Sequence, residues 1–131
     1  MFDALFIDSE VENLFKDEAV VRAMLRFEAG LALAQADANI ISSDEASLIA
    51  RVCESAEIDL EKISLAARQA GNPAIPLVKE LTVLVRKINA GAARFVHAGA
   101  TSQDVIDTAT MLQLKVALSG FGLASLVCSS V

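Results

Sequence analysis

Apolar positions recur at three- and four-residue intervals along most of this chain, the spacing that lines one face of an α-helix. The clearest run lies between Asp17 and Asn39. Val20, Val21, Met24, Leu25, Phe27, Ala29, Leu31, Leu33, Ala34 and Ala36 carry the pattern there. Asp17 and Glu18 stand where the helix dipole favours acids, and Asn39 suits a stop. Ser42-Ser43-Asp44-Glu45 then reads as the cap of a second helix to about Ser55, with Leu48, Ile49, Val52 and Cys53 on its apolar side. A third helix starts at Asp59 and turns Leu60, Ile63, Leu65, Ala66 and Ala67 inward.

Gly71-Asn72-Pro73 breaks the chain sharply. Pro73 and Pro76 fit the first turn of a fourth helix, where a missing N–H does no harm. That helix runs to about Asn89 with Ile75, Leu77, Val78, Leu81, Leu84, Val85 and Ile88 inward. Ala90–Ala93 is a short connector, and Arg94-Phe95-Val96 leads into the loop His97-Ala98-Gly99-Ala100-Thr101. A fifth helix begins at Ser102 and reaches about Leu118. Ser119-Gly120-Phe121-Gly122 is expected to interrupt it, because two glycines cost about 2 kcal/mol of helix stability relative to alanine. No alternating strand pattern and no internal repeat occur. The fold class is all-α.

Composition narrows the setting. A chain of 131 residues is one domain or a piece of a larger one. It is 54% hydrophobic, which points to a large helix interface shared with other chains. The 11 Lys and Arg against 17 Asp and Glu give a net charge of −6, so no nucleic-acid partner is expected. Cys53 and Cys128 are too few and too far apart for a disulfide framework or a metal site, and Cys53 reads as a buried structural thiol. The N-terminus carries acids where a signal peptide needs bases, so the expected compartment is the cytoplasm. The uncharged run from Val116 to Val131 falls short of the roughly 20 apolar residues that span a bilayer, so no membrane partner is expected.

The candidate chemistry gathers around His97, the only histidine. Its loop offers backbone N–H groups, the Thr101 and Ser102 hydroxyls and the positive end of a helix dipole, which suits a carboxylate or phosphate. The imidazole titrates near neutrality, so it can move a proton; a hydrogen-bonded structural role is the alternative. Thr101 and Asp104 have the spacing of a capping box, a role compatible with ligand binding. Gln103 can donate to a carboxylate, and Asp107, one turn on, suits orienting a neighbour. Asn72 either caps the fourth helix or turns its amide into a cleft. Glu28 reads as a structural carboxylate paired with an arginine. Arg94 and Lys79 are the cations available to an anionic substrate, Lys79 more readily to solvent. There is no glycine-rich phosphate loop, nucleophile elbow or metal-ligand pair, so the chemistry is acid–base and electrostatic, with no cofactor and no metal.

His97-Ala-Gly-Ala-Thr101-Ser102-Gln103-Asp104-Val-Ile-Asp107-Thr108 resembles the first of three signature regions of the fumarase/aspartase superfamily of lyases. Ala70-Gly71-Asn72-Pro73-Ala74-Ile75-Pro76-Leu77-Val78 is most similar to its carboxymuconate cycloisomerase branch, and Asp17 through Ala32 is similar to the family's first long helix. The resemblance implies a helical homotetramer that breaks or forms a C–O or C–N bond beside a carboxylate, through an aci-carboxylate intermediate. Each active site draws on three chains. Thr101 and Ser102 would bind the carboxylate of a small anionic substrate, with Asn72, His97 and Gln103 near it, and Asp104 and Asp107 would orient them.

By that comparison, residues 1–96 form an N-terminal helical domain, and 97–131 form the signature loop and the start of a central bundle helix. The second signature region and the flexible serine loop with the family's catalytic base are not in these residues. The expectation is therefore an N-terminal portion, inactive by itself, whose base and acid lie elsewhere. An adenylosuccinate lyase-like portion is the runner-up; its basic, histidine-containing segment does not match the Gly71-Asn72-Pro73 break. A non-catalytic helical assembly module is the reading from a different class.

Overall fold

Helices account for nearly all the regular structure in the computed structural model, which describes residues 9–120. They are α1 (Ser9–Leu14), α2 (Asp17–Asp37), α3 (Ser43–Ser55), α4 (Leu60–Ala70), α5 (Ala74–Ile88), a 3-10 turn (Ala92–Phe95) and α6 (Ser102–Gly120). No strand occurs among the described residues. None of these helices is long and apolar enough to cross a membrane. The reading of the first ten residues lies largely outside the described part, as do Phe121, Gly122 and Cys128 at the other end.

Local signals set the helix boundaries. Asn39 adopts φ 59°, and the Ile40 N–H closes back on the Gln35 carbonyl at 2.8 Å, a left-handed stop that ends α2. Ser42 accepts from the Glu45 N–H while the Glu45 carboxylate takes the Ser42 N–H at 3.1 Å, completing a capping box for α3. Asp59 caps α4 through the Lys62 N–H at 3.0 Å. Gly71 ends α4 at φ 79°, a conformation that costs a side-chain-bearing residue about 1 kcal/mol or more.

α2 is the central element, packed against both α3 and α6. Met24, Leu25, Ile49, Leu77, Leu81, Val85 and Val105 are wholly buried where α2, α3, α5 and α6 meet. α6 meets this core along a narrow stripe, Val105, Ala109, Gln113 and Ala117, spaced four residues apart on one helix face. The Gln113 amide in that stripe donates to the Leu14 carbonyl and ties α1 to α6.

Several expectations change. α1 and the 3-10 turn are additional elements, each too short to show a helical period. Leu33, Leu65 and Ile88 were expected inward and are exposed, because periodicity marks an apolar face more broadly than its neighbours cover it. α6 continues through Ser119 and Gly120, where Ser119 Oγ donates to the Lys115 carbonyl at 2.7 Å; the rest of the expected interruption, Phe121 and Gly122, lies outside the described residues. Burial yields a direct check. Leu81→Ala should lose about 2–5 kcal/mol in urea unfolding, while Leu65→Ala should change stability by less than about 0.5 kcal/mol.

Candidate functional site

The loop between the 3-10 turn and α6 is held by buried polar side chains from α2. His97 Nδ1 lies 2.7 Å from Glu28 Oε1, and one helical stripe further along α2 the Gln35 amide donates to the Ala98 carbonyl at 2.6 Å. Glu28 is 2% exposed and Gln35 8%. Seven residues separate them, so they fall on the same face two turns apart. Between these anchors the backbone turns through left-handed positions, φ 60° at His97 and 75° at Gly99. Histidine is among the few side chains found there with any frequency.

Glu28 was expected to meet an arginine; its partner is His97. The ring nitrogen, brought over α2 by the loop, occupies the hydrogen-bonding position on Oε1. Burial pushes the Glu28 carboxyl above its ordinary range, and the hydrogen bond and charge of His97 pull the other way. One carboxylate oxygen, Oε2, is buried without a partner, as is Gln35 Oε1. Burial, with the charge of Glu28 added to it, raises the Cys53 thiol to about 12. Cys53 is 2% exposed, the buried thiol that its apolar helix position indicated.

α6 opens with a complete capping box. The Thr101 N–H and hydroxyl both donate to Asp104 Oδ2, at 2.7 and 2.8 Å, and Thr101 Oγ1 accepts the Asp104 N–H at 3.3 Å. These bonds hold the Asp104 carboxyl below its usual range. The Thr101 hydroxyl is thus committed to the cap. Among the described residues no hydrogen bond engages the N–H groups of Ser102 and Gln103 or the Ser102 hydroxyl. First-turn N–H groups have no partner within their own helix, so these donors remain for a ligand. The Gln103 amide reaches Asp107 Oδ1 at 2.6 Å, which fixes the side chain along the helix.

Other residues stand apart. Asn72 Oδ1 accepts the Ile75 N–H at 3.1 Å, so its carbonyl caps α5. The cavity of about 370 Å³ that Asn72 lines lies against Asp17, Leu60 and Arg68, and no residue of the His97 loop borders it. Arg94 is exposed and lies 4.5 Å from the centre of the Phe95 ring. Lys79 is exposed as well. Among the described residues no cluster of three His, Cys, Asp or Glu side chains is placed to hold a metal ion. Sequence reasoning did not single out Gln35. A signal was present: Glu28 and Gln35 interrupt the otherwise apolar stripe of Val21, Met24, Leu25 and Ala32.

No protein-family model matches the chain. Its fold is that of the N-terminal helical region of the fumarase/aspartase superfamily. A solved fumarate lyase from Mesorhizobium sp. superposes with a TM-score of 0.80 at 32% identity, over 87% of this chain and 26% of that one. Within the superfamily the match is to carboxymuconate cycloisomerases. The beta-carboxy-cis,cis-muconate cycloisomerase of Acinetobacter calcoaceticus superposes with a TM-score of 0.86 at 42% identity, over 90% of this chain and 28% of that one. The 3-carboxy-cis,cis-muconate cycloisomerase of Bradyrhizobium diazoefficiens is 50% identical over 102 residues, 78% of this chain and 23% of the relative. The chain thus spans about a quarter of the length of the curated relatives it matches.

Cys53 should resist a thiol reagent such as a disulfide dye in the native chain and react only on unfolding, as followed by absorbance. The Asp104 and Glu45 carboxyls both sit below their ordinary range in the fold. Their contributions to stability are therefore present above the unfolded carboxylate range and lost as pH falls through their folded values. Thr101→Ala should cost about 1 kcal/mol near neutrality and flatten the acid side of the stability profile, read by denaturant melts across pH.

Proposed function

We propose that this chain is the N-terminal, carboxylate-gripping part of an enzyme that lactonises 3-carboxy-cis,cis-muconate in the degradation of aromatic acids. One observation carries the reading: a match to carboxymuconate cycloisomerases over about nine-tenths of the chain necessarily includes the loop whose donors collect at the start of α6. Adding a carboxylate oxygen of the substrate across a conjugated C=C bond pushes electron density onto a second carboxylate, as an aci-carboxylate. A proton delivered to carbon then completes the lactone. Donors fixed before the reaction stabilise that developing charge without reorganising.

In this scheme the Ser102 hydroxyl and the N–H groups of Ser102 and Gln103 take the carboxylate. Thr101 and Asp104 shape the helix end, Asp107 orients Gln103, and His97 presents its ring edge beside the grip. Asn72, apart from the loop within one chain, would join a site only as the tetramer shares it between chains. The proton-transferring base and acid come from outside these residues, in a homotetramer whose active sites are shared between chains. Residues 1–96 then form the N-terminal helical domain, and 97–131 the signature loop and the head of the central bundle helix. The tetramer would cover the exposed Met111, Leu114, Val116 and Leu118 of α6. The proposed compartment is the cytoplasm.

Titrating 3-carboxy-cis,cis-muconate into the 131-residue chain should shift the backbone amide resonances of Ser102 and Gln103, and Ser102→Ala should weaken that response at least several-fold. The chain by itself should show no lactone formation in an ultraviolet assay. Undisturbed loop amides at saturating ligand, or turnover by the chain alone, would overturn the assignment.

A further inference from the structure

The number of protons on the Glu28–His97 pair is constrained by its surroundings. The Glu28 side chain is 1% exposed and the His97 side chain 19%, with 2.7 Å between Oε1 and Nδ1. Oε2 of Glu28 is buried and unpartnered, and no lysine or arginine forms an ion pair with Glu28 among the described residues. A contact of this length always has a proton between the two atoms, and three arrangements supply it. The carboxylate can accept from a neutral ring protonated at Nδ1. It can accept from an imidazolium. Or the carboxylic acid can donate to the Nδ1 lone pair of a neutral ring.

The first arrangement leaves a net negative charge in the core, with one oxygen that nothing solvates. A buried charge without compensation is the most costly outcome available. The other two keep the pair electrically neutral. In both, Nε2 carries a proton: an imidazolium is protonated at both nitrogens, and a neutral ring that accepts at Nδ1 has its hydrogen on Nε2.

The neighbouring groups act in the same sense. Cys53 of α3 feels the charge of Glu28 and remains a neutral thiol, so it offers no compensating cation. Asp104 of α6, held as a carboxylate chiefly by its hydrogen bonds from Thr101, is a further negative group near the ring. A neutral thiol and a second carboxylate leave a net negative pair without compensation.

We infer that buried Glu28 makes Nε2 of His97 a standing hydrogen-bond donor to the ligand carboxylate, with Glu28 as the positioning residue behind it. The ring then binds an anion and does not serve as the base. The identity of the acceptor rests on the carboxylate-grip reading above; the proton on Nε2 rests on the pair alone.

Because the chain has one histidine, its ring nitrogens can be read without ambiguity by long-range 1H–15N correlation on the ligand-free protein. Nε2 should carry a directly bonded proton at about pH 7. In Glu28→Leu, the ring loses the partner that fixes its tautomer, so Nε2 should carry its proton only part of the time at the same pH. The native measurement stands even if that variant fails to fold. An unprotonated Nε2 near pH 7, or a folded Glu28→Leu chain with native Nε2 occupancy, would each overturn the inference. Failure of the loop to bind a carboxylate would instead remove the functional reading and leave the proton assignment intact.

Discussion

Two polar side chains inside α2, Glu28 and Gln35, hold the loop that precedes α6, and the rest of the site depends on that attachment. A loop of small residues has little apolar surface with which to fix itself. Here one end is tied through the His97 ring and the next residue through the Ala98 carbonyl, both to the same face of a helix that runs through the core. The anchors compensate for the left-handed backbone at His97, which a freely moving chain would seldom adopt. They also decide where α6 begins. A rigid start to that helix keeps its unpaired N–H groups aimed at one place, which binding of a small anion requires.

The division of labour at the helix start follows from supply and demand among donors and acceptors. Thr101 and Asp104 satisfy one another, so the single proton of the threonine hydroxyl is engaged in the cap. What stays open is the next residue's hydroxyl and two backbone amides. Asp104 brings a negative charge close to the proposed carboxylate grip, and the rigidity its hydrogen bonds confer offsets that repulsion. The proton held on His97 lessens the same repulsion from the other side of the loop.

Much of the architecture was legible before any coordinates. Ser42 with Glu45, Asp59, Asn39 and Gly71 each carry a local reason for a helix to start or stop, and each does so. The capping box at Thr101 and Asp104 was legible on the same ground, because it depends on residues within one turn. The signature residues also showed their family through type and spacing. Less legible were α1 and the 3-10 turn, whose lengths are below one full period of any pattern, and the exposure of Leu33, Leu65 and Ile88. Periodicity reports that a helix has an apolar face; only its neighbours decide how wide a strip of it is covered.

The partner of Glu28 marks the same boundary more sharply. Its place in an apolar stripe indicated burial and a need for compensation, and both follow from the chemistry of a carboxylate among hydrocarbon side chains. Which group would compensate it was a matter of packing between residues far apart in sequence. His97 met that need because the chain returns across α2 after the 3-10 turn and sets the ring against the carboxylate. The sequence by itself determined the helices, their caps and the set of donors at residues 97–107, since these rest on interactions within a few residues. The tertiary structure decided which of those donors remain free and that a buried carboxyl stands behind the His97 ring, since both depend on residues brought together from the whole chain.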